Sequence, residues 1–509
     1  MNTAHTLAES ARVFADQPAI VIDDQTDCDY GELAHRVACR AGALHESGVK
    51  PGGRVVLYLK NRPDYIEALF AIWWAGAVAV PLSSMLHARE AASIIDDVRA
   101  QLTWVGEDLA DELMDVCANP GKVGILAAEN LAHERNFHPL PIVDRRPEDD
   151  AWIFFTSGTT GKPKGARLTH ANLWAMTTAY CADVEWVDER SSLLHLALQS
   201  HASGLFALPF IAKGAAQIVP SSTDPAHVAT LMRTRDNMTF FVPPIMLRRL
   251  SSAPEIKAAP VERMGTVLVG AAPVLAEDLI AGMATFGARL WNGYGQGESP
   301  CTITAMGPRA MATAAAEHNR VALESVGAPR IGTQVRVVDD DGNTVQDGEI
   351  GEVIVKGPTV MAGYLDNPEA TAETLRDGWL FTGDLGRFDA GLLTLLDRSK
   401  DLVISGGANI YPREVEQTLR QHAGVLDVAV IGIPDEEWGE RLAAFVVLHP
   451  DEDTHGFERS LDEHCLSMMA RYKRPKEYHL ITELPRNGAG KVLKTTLREQ
   501  LTAHAHNKE

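Results

Sequence analysis

Short runs of valine, isoleucine and leucine recur along the chain between stretches of helical periodicity: Arg54-Val-Val-Leu-Tyr-Leu, Ala77-Val-Ala-Val-Pro, Thr266-Val-Leu-Val-Gly and Asp427-Val-Ala-Val-Ile-Gly. Runs that are apolar at nearly every position, instead of alternating, are what strands covered on both faces look like. Interleaved with helices, they predict an α/β fold of layered sheets. Around residues 335–360 the pattern changes to strand and turn signals, with Asp341-Gly342 and Asp347-Gly348 at hairpin positions, and a small β-rich subdomain is expected there. The alanine-rich segment 310–316 reads as a surface helix or loop, and no repeat of fixed period is visible. The longest uncharged apolar run, 68–82, falls short of the roughly 18–20 residues that a spanning helix needs, so no membrane span is expected. The opening MNTAHTLAES has neither a basic nor an apolar region of the secretory kind, and no signal peptide is expected.

The most informative boundary is the charged junction Asp397-Arg-Ser-Lys-Asp401, which parts a strand-like run at 392–396 from Leu402-Val-Ile-Ser405 and leaves a C-terminal block of one small domain's length. A polar junction between packed blocks is where a hinge would sit. At roughly 100–200 residues per domain, 509 residues imply two to four domains. Hydrophobic residues at 45% and charged residues at 23% exclude wholesale disorder and a fibrous build. With 47 basic and 68 acidic residues the net charge is −21, which argues against extended nucleic-acid binding but leaves room for an anion held by local amides and lysines. Cys28, Cys39, Cys117, Cys181, Cys301 and Cys465 lie far apart with no C-x-x-C, so a zinc ribbon and a disulfide framework are not spelled out and a reducing cytoplasm is expected.

The strongest chemical signal is Thr156-Ser-Gly-Thr-Thr-Gly-Lys-Pro-Lys-Gly165, after a strand-like run at 151–155 and before a helix expected to begin near Thr169. Glycines, hydroxyls and two lysines in ten residues make a loop able to turn amides and side chains onto a polyphosphate. It is not a Walker loop, because Pro163 follows Lys162 where a magnesium-binding hydroxyl would stand. Trp291-Asn-Gly-Tyr-Gly-Gln-Gly-Glu298 again combines glycines with an aromatic face and one acid, and Glu298 suits a magnesium ion bridging phosphate oxygens. Gly378-Trp-Leu-Phe-Thr-Gly-Asp384 and Asp397-Arg398 place an acid and an arginine at strand ends, suited to ribose hydroxyls. Near the C-terminus, Pro485-Arg-Asn-Gly-Ala-Gly-Lys491 presents a lysine from a glycine-rich turn.

Taken together, in this order and spacing, these five motifs resemble the adenylate-forming superfamily of acyl-CoA synthetases, amino-acid-adenylating domains and luciferases, and the match covers nearly the whole chain. The resemblance implies a large N-terminal domain, 1–399, of two βαβ-type subdomains plus a β-barrel subdomain, and a smaller mobile α+β domain, 400–509, turning about a hinge near Lys400. It implies ATP, Mg²⁺ and coenzyme A as cofactors, a small carboxylic acid as substrate, and a ligase that forms an acyl-adenylate and then a thioester. Thr156, Ser157, Gly158, Thr159, Thr160, Gly161, Lys162 and Lys164 would hold the β- and γ-phosphates, and Glu298 the metal. Gly270, Ala271 and Ala272, with Asn292, Gly293 and Tyr294, would flank the adenine, while Asp384 and Arg398 would bind the ribose. Lys491 would bridge the carboxylate and the α-phosphate in the first step only. Gly406 and Gly407 would line the pantetheine tunnel, and Trp438 and Arg474, the latter in the basic run 471–476, would meet the CoA nucleotide. His201 sits where acyl-CoA synthetases carry a histidine between the two half-sites, to orient the carboxylate or gate the tunnel.

One departure stands out: Gly297 replaces the threonine that the family usually carries before the acid. The acyl pocket is expected to be walled by His201, Gly204, Phe206, Val242, Gly270, Gly295, Pro300 and Cys301, mostly small or apolar, which suits an uncharged aromatic, alicyclic or medium-chain aliphatic tail. Alternatives to a CoA ligase are an acyl-AMP ligase that loads a carrier protein, luciferase-like oxygenation, and a non-catalytic nucleotide-binding homologue. A homodimer is the assembly considered.

Overall fold

The computed structural model describes residues 2–126, 136–156, 163–405, 408–435, 437–450, 452, 456–486 and 492–506. It is a mixed α/β structure of two compact units: a larger one of Met1–Val335, Ile354–Phe381 and Gly391–Leu393, and a smaller one of Arg336–Val353, Thr382–Ala390 and Thr394–Glu509.

The larger unit contains a six-stranded sheet in the order Val123–Leu126, Leu102–Gly106, Arg54–Tyr58, Val78–Leu82, Asp150–Thr156, Lys164–Thr169. Its first five strands are parallel and the sixth returns antiparallel to the fifth. The long apolar run at 68–82 resolves into two buried elements of this layer. Helix Asp64–Trp74 ends, Gly76 turns the chain at φ +70°, and strand Val78–Leu82 begins. The helix from Ala68 onward and the strand are apolar all round because both are covered all round.

The second sheet has nine strands: Ala328–Pro329, Ser299–Met306, Leu290–Gln296, Val267–Val269, Met238–Val242, Ser192–Leu194, Ala216–Val219, Pro18–Ile22 and Gln25–Asp29. From Leu290–Gln296 to Pro18–Ile22 the strands are parallel, and antiparallel partners close both edges. The alanine-rich segment lies in helix Pro308–Ala316, which turns Met311 and Ala314 into the core beside this sheet. The β-rich stretch expected around 335–360 contributes strands Gln334–Val338 and Gly351–Lys356 to a five-stranded sheet. The two expected turns are there, with Gly342 and Gly348 at φ +84° and +88°.

The run at 427–432 belongs to the smaller unit, in a long antiparallel hairpin of Val425–Asp435 against Gly439–Leu448. Val428 and Val430 face a core with helices Pro412–Arg420 and Phe457–Met468, whereas Ala429 and Ile431 face Leu484 and Leu497. Its continuous hydrophobicity reports two covered faces, not parallel pairing. Among the described residues no helix is long and apolar enough to cross a membrane.

Two histidines are sealed into the larger unit. His170 Nδ1 accepts the Thr3 backbone N–H at 3.0 Å. His195 lies between Ser203 Oγ at 2.8 Å and Gln217 Oε1 at 3.2 Å. Because the Gln217 amide nitrogen donates to the Ala215 carbonyl, Gln217 Oε1 is the acceptor and His195 Nε2 carries the proton. Burial pushes both imidazoles down to about 4. Below pH 6.5 the unfolded chain therefore takes up protons that the folded one refuses, so the stability these groups contribute is lost as pH falls from 6.5 toward 4. At pH 5 the loss is about 2 kcal/mol for each histidine. The drop in unfolding free energy between pH 7.5 and pH 5.0 is expected to shrink by about that amount in His195→Gln. An unchanged pH dependence would contradict a buried neutral imidazole there.

Candidate active site

Strand Asp150–Thr156 sets out one wall of the site by simple alternation. Ile153 and Phe155 pack into an apolar cluster with Val56, Val80 and Ile95, which leaves Trp152, Phe154 and Thr156 on the opposite face. The ring of Trp152 lies 3.5 Å from where a Cβ would stand on Gly204. Phe154 packs edge to face with His201, ring centroids 5.2 Å apart and planes at 85°. Thr156 Oγ1 donates to Glu298 Oε1 at 3.1 Å.

The same strand pairs with Lys164–Thr169, Thr156 standing opposite Lys164. The glycine- and lysine-rich motif thus runs between the two arms of a hairpin, not from strand directly toward helix. The helix expected near Thr169 follows the second strand as His170–Asp183, its first turn closed by a capping box between Thr169 and Asn172. Ser157, Gly158, Thr159, Thr160, Gly161 and Lys162 lie outside the described residues.

Glu298 is buried at 9% exposure, and Oε1 also accepts the Tyr364 hydroxyl at 2.8 Å. Lys164 Nζ stands 5.2 Å from the centroid of the Tyr364 ring, within cation–π range. Two hydroxyl donors on one oxygen fix how the carboxylate is turned. Tyr364 escaped the sequence reading; its signal was Gly363-Tyr364 ahead of the helix cap Asn367.

His201 occupies the N-cap position of helix Ala202–Ile211, with Nδ1 at 2.8 Å from Ser200 Oγ. Burial pushes its imidazole down to about 4, so at neutral pH it can exchange hydrogen bonds but adds no positive charge. The loop that presents it is tied to the connection between strand Arg54–Tyr58 and helix Asp64–Trp74: Gln199 N–H donates to Asn61 Oδ1 at 2.8 Å, and Arg62 N–H to Gln199 Oε1 at 2.9 Å. Gly204 is obligatory here, since a Cβ would come within 2.0 Å of the Gln199 carbonyl oxygen.

At the carboxyl end of the nine-stranded sheet, a Cβ on Gly270 would lie 2.7 Å from the Gly293 carbonyl oxygen, and Ala271 takes φ +67° to leave the strand. Ala271 is exposed, and Tyr294 is buried. Asn292 donates its side-chain amide to the Ser325 carbonyl at 3.2 Å inside the core. Of the expected acyl-pocket residues, Phe206 packs on the ring of Phe241 at 5.5 Å, and Gly295 has room for no Cβ against the Cys301 backbone nitrogen, which would lie at 2.6 Å.

In the smaller unit, Asp384 and Arg398 meet, Arg398 Nε lying 2.8 Å from Asp384 Oδ1. Thr382 prepares this acid: its hydroxyl donates to the Val353 carbonyl at 2.7 Å and accepts the Asp384 N–H at 3.1 Å. In the charged junction, Asp397 accepts the backbone N–H of Arg398 at 2.8 Å and that of Arg413 at 3.0 Å, in the first turn of helix Pro412–Arg420. Arg498, on the last helix, pairs with Asp401 at 3.3 Å.

Trp438 is half exposed at 50% on the hairpin turn, where its N–H donates to Asp435 Oδ1 at 2.9 Å. Arg474 is paired with Asp462, and Lys473 with Glu414 at 2.7 Å, so two of the four cations in the run 471–476 have acidic partners. Gly406, Gly407 and Lys491 lie outside the described residues.

The profile of the AMP-binding enzyme family matches residues 7–365, and that of the AMP-binding enzyme C-terminal domain matches residues 414–491. A feruloyl-CoA synthase from Amycolatopsis sp is 36% identical over 477 residues, 93% of this chain and 94% of its own. A medium/long-chain-fatty-acid–CoA ligase from Mycobacterium tuberculosis is 30% identical over 520 aligned residues, 98% of this chain and 90% of its own. The ATP-bound structure of MatB from Rhodopseudomonas palustris is similar with a TM-score of 0.87 at 29% identity, covering 98% of this chain and 99% of that one. The chain belongs to the AMP-binding enzyme family and, within it, to the adenylate-forming acyl-CoA synthetases.

Proposed function

We propose that this chain is an AMP-forming carboxylate–CoA ligase for an uncharged aromatic, alicyclic or medium-chain aliphatic acid. In the first step a carboxylate oxygen bonds to the α-phosphorus of ATP, the bond to the β-phosphate oxygen breaks, and pyrophosphate leaves. In the second, the CoA sulfur bonds to the acyl carbon, its proton is lost to solvent, the acyl–oxygen bond breaks, and AMP leaves. The observation that carries the reading is the face of strand Asp150–Thr156: it sets Thr156 on Glu298 and Phe154 on His201 directly before the phosphate-binding motif. That supports a phosphate-holding end and an acyl-holding end on one wall.

Lys164 and the residues 156–162 hold the β- and γ-phosphates, where the chemistry needs charge neutralisation more than covalent help. Glu298 and Thr156 supply the hard oxygen donors that suit Mg²⁺, and a bound ion there would offset phosphate charge. His201, being neutral, orients the carboxylate by hydrogen bonding and shape. The Asp384–Arg398 pair receives the ribose hydroxyls. Lys491 serves adenylation alone; Gly406, Gly407, Trp438 and Arg474 serve CoA, with 400–509 turning about Lys400 between the steps relative to 1–399.

Small and apolar side chains at the expected pocket wall support the choice of acid. All six cysteines are free, which supports a reducing, cytoplasmic setting. The homodimer considered from sequence is a question for sedimentation.

The test is a panel of acids assayed for pyrophosphate release with and without CoA. Release that depends on an acid, thioester formed on adding CoA, loss with EDTA and recovery with Mg²⁺ are expected. Release without thioester would point to a carrier-protein acceptor instead. No release with any acid would overturn the reading.

A further inference from the structure

Position 297 is glycine where adenylate-forming enzymes usually have threonine, and the structure supplies a physical reason. A Cβ on Gly297 would lie 2.6 Å from Phe154 Cδ1, 3.1 Å from Phe154 Cε1 and 2.6 Å from Thr156 Cγ2. At such distances something must move. Thr156 is restrained by its bond to Glu298 and by its pairing with Lys164. The ring of Phe154 is restrained less, because the apolar cluster behind the strand is filled by Ile153 and Phe155 instead. What that ring does touch is His201, edge to face. The backbone of His201 is fixed by its N-cap position and Nδ1 by Ser200, and the aromatic contact adds a restraint on the plane of the imidazole.

We propose that Phe154 and Gly297 form one coupled positioning unit for His201: the ring fills the volume a side chain at 297 would need, and through its packing it sets the imidazole that faces the acid. Phe154 is a positioning residue, acting through His201. The absence of the usual threonine is then half of a pair, and restoring it alone does harm. The inference rests on the proposed ligase reading, because the acid is what the imidazole faces.

A double-mutant cycle tests it: the unaltered chain as parent, Phe154→Ala, Gly297→Thr and the pair, with the cycle repeated in a Thr156→Ser background, which removes the competing Cγ2 and keeps a hydroxyl for Glu298. The readouts are acid-dependent pyrophosphate exchange, with KM for acid and for ATP measured separately, and the melting temperature. Phe154→Ala is expected to raise KM for the acid about three- to tenfold, the range of one aromatic pair, with KM for ATP within about twofold. Phe154→Tyr should keep the parental KM. Gly297→Thr should lose about tenfold or more in kcat/KM for the acid, and the double variant should lose less than the product of the two single losses. Simple multiplication of the effects, or an equal rise in both KM values, would overturn the coupling. If the parent exchanged no pyrophosphate with any acid, the ligase reading would fall first. The melting temperatures would then decide the packing claim: Gly297→Thr lowers Tm and Phe154→Ala recovers part of it, whereas additive losses would overturn it.

Discussion

Lys491→Ala is expected to lose about 10²–10³-fold in adenylate formation and to convert chemically made acyl-adenylate and CoA into thioester at close to the parental rate. In the first step an anionic oxygen approaches an anionic phosphate. At 4 Å two unit charges interact by about 1 kcal/mol in water and about 4 kcal/mol at the effective dielectric near a protein surface. A loss of 10²–10³-fold is about 2.7–4 kcal/mol, which is what one preorganised cation in a partly dry site can supply. The second step brings a thiol to an acyl carbon and has no such repulsion to offset. Structural collapse is a poor alternative explanation, because the chain flanking this lysine is pinned independently. Arg486 bridges Val492, the Leu493 N–H donates to the Pro485 carbonyl at 2.8 Å, and Lys494 pairs with Glu416 at 3.0 Å. Gly407→Trp should show the converse, filling the proposed tunnel while sparing pyrophosphate release. Equal damage to both half-reactions in both variants, with folding intact, would mean that one fixed arrangement performs both steps.

How far such a site can be read from sequence depends on whether its signals are local. Strands Arg54–Tyr58 and Val78–Leu82 were legible because burial on both faces writes itself as an unbroken apolar run. The start of helix His170–Asp183 was legible because its capping box lies within four residues. Strand Lys164–Thr169 was not: Lys-Gly-Ala-Arg-Leu-Thr has charge and glycine enough for a loop, and it is a strand because Asp150–Thr156 lies beside it. The motifs proposed to carry phosphate and metal chemistry were visible for their glycines, hydroxyls and lysines. What holds them was not, since Tyr364 reaches Glu298 across 66 residues and Phe154 reaches His201 across the fold. The charge of the run 471–476 was legible and its neutralisation was not, because Asp462 and Glu414 come from other elements. Local chemistry singles out the candidate groups; their partners are products of tertiary structure.

Glu298→Gln is the second large effect, expected to lower adenylate formation by about 10²–10³-fold while leaving the fold in place. The amide keeps the shape of the side chain and an oxygen to accept the hydroxyls of Tyr364 and Thr156, so both bonds seen in the structure can persist. What disappears is the negative charge, and with it the affinity of a hard-oxygen site for a divalent cation. The loss should therefore come with a raised Mg²⁺ requirement. Tyr364→Phe separates orientation from charge: it removes one of the two hydroxyl donors and keeps the carboxylate, and a smaller effect of about tenfold is expected. Glu298→Asp retains charge but withdraws it by one methylene, out of reach of the two hydroxyls, and should fall between the other two. A titration of initial rate against Mg²⁺ for the three variants reads this order directly. If Glu298→Gln kept the parental Mg²⁺ dependence while losing only thermal stability, the carboxylate would be a buried strut for Tyr364 and Thr156, and the metal would have to be held elsewhere.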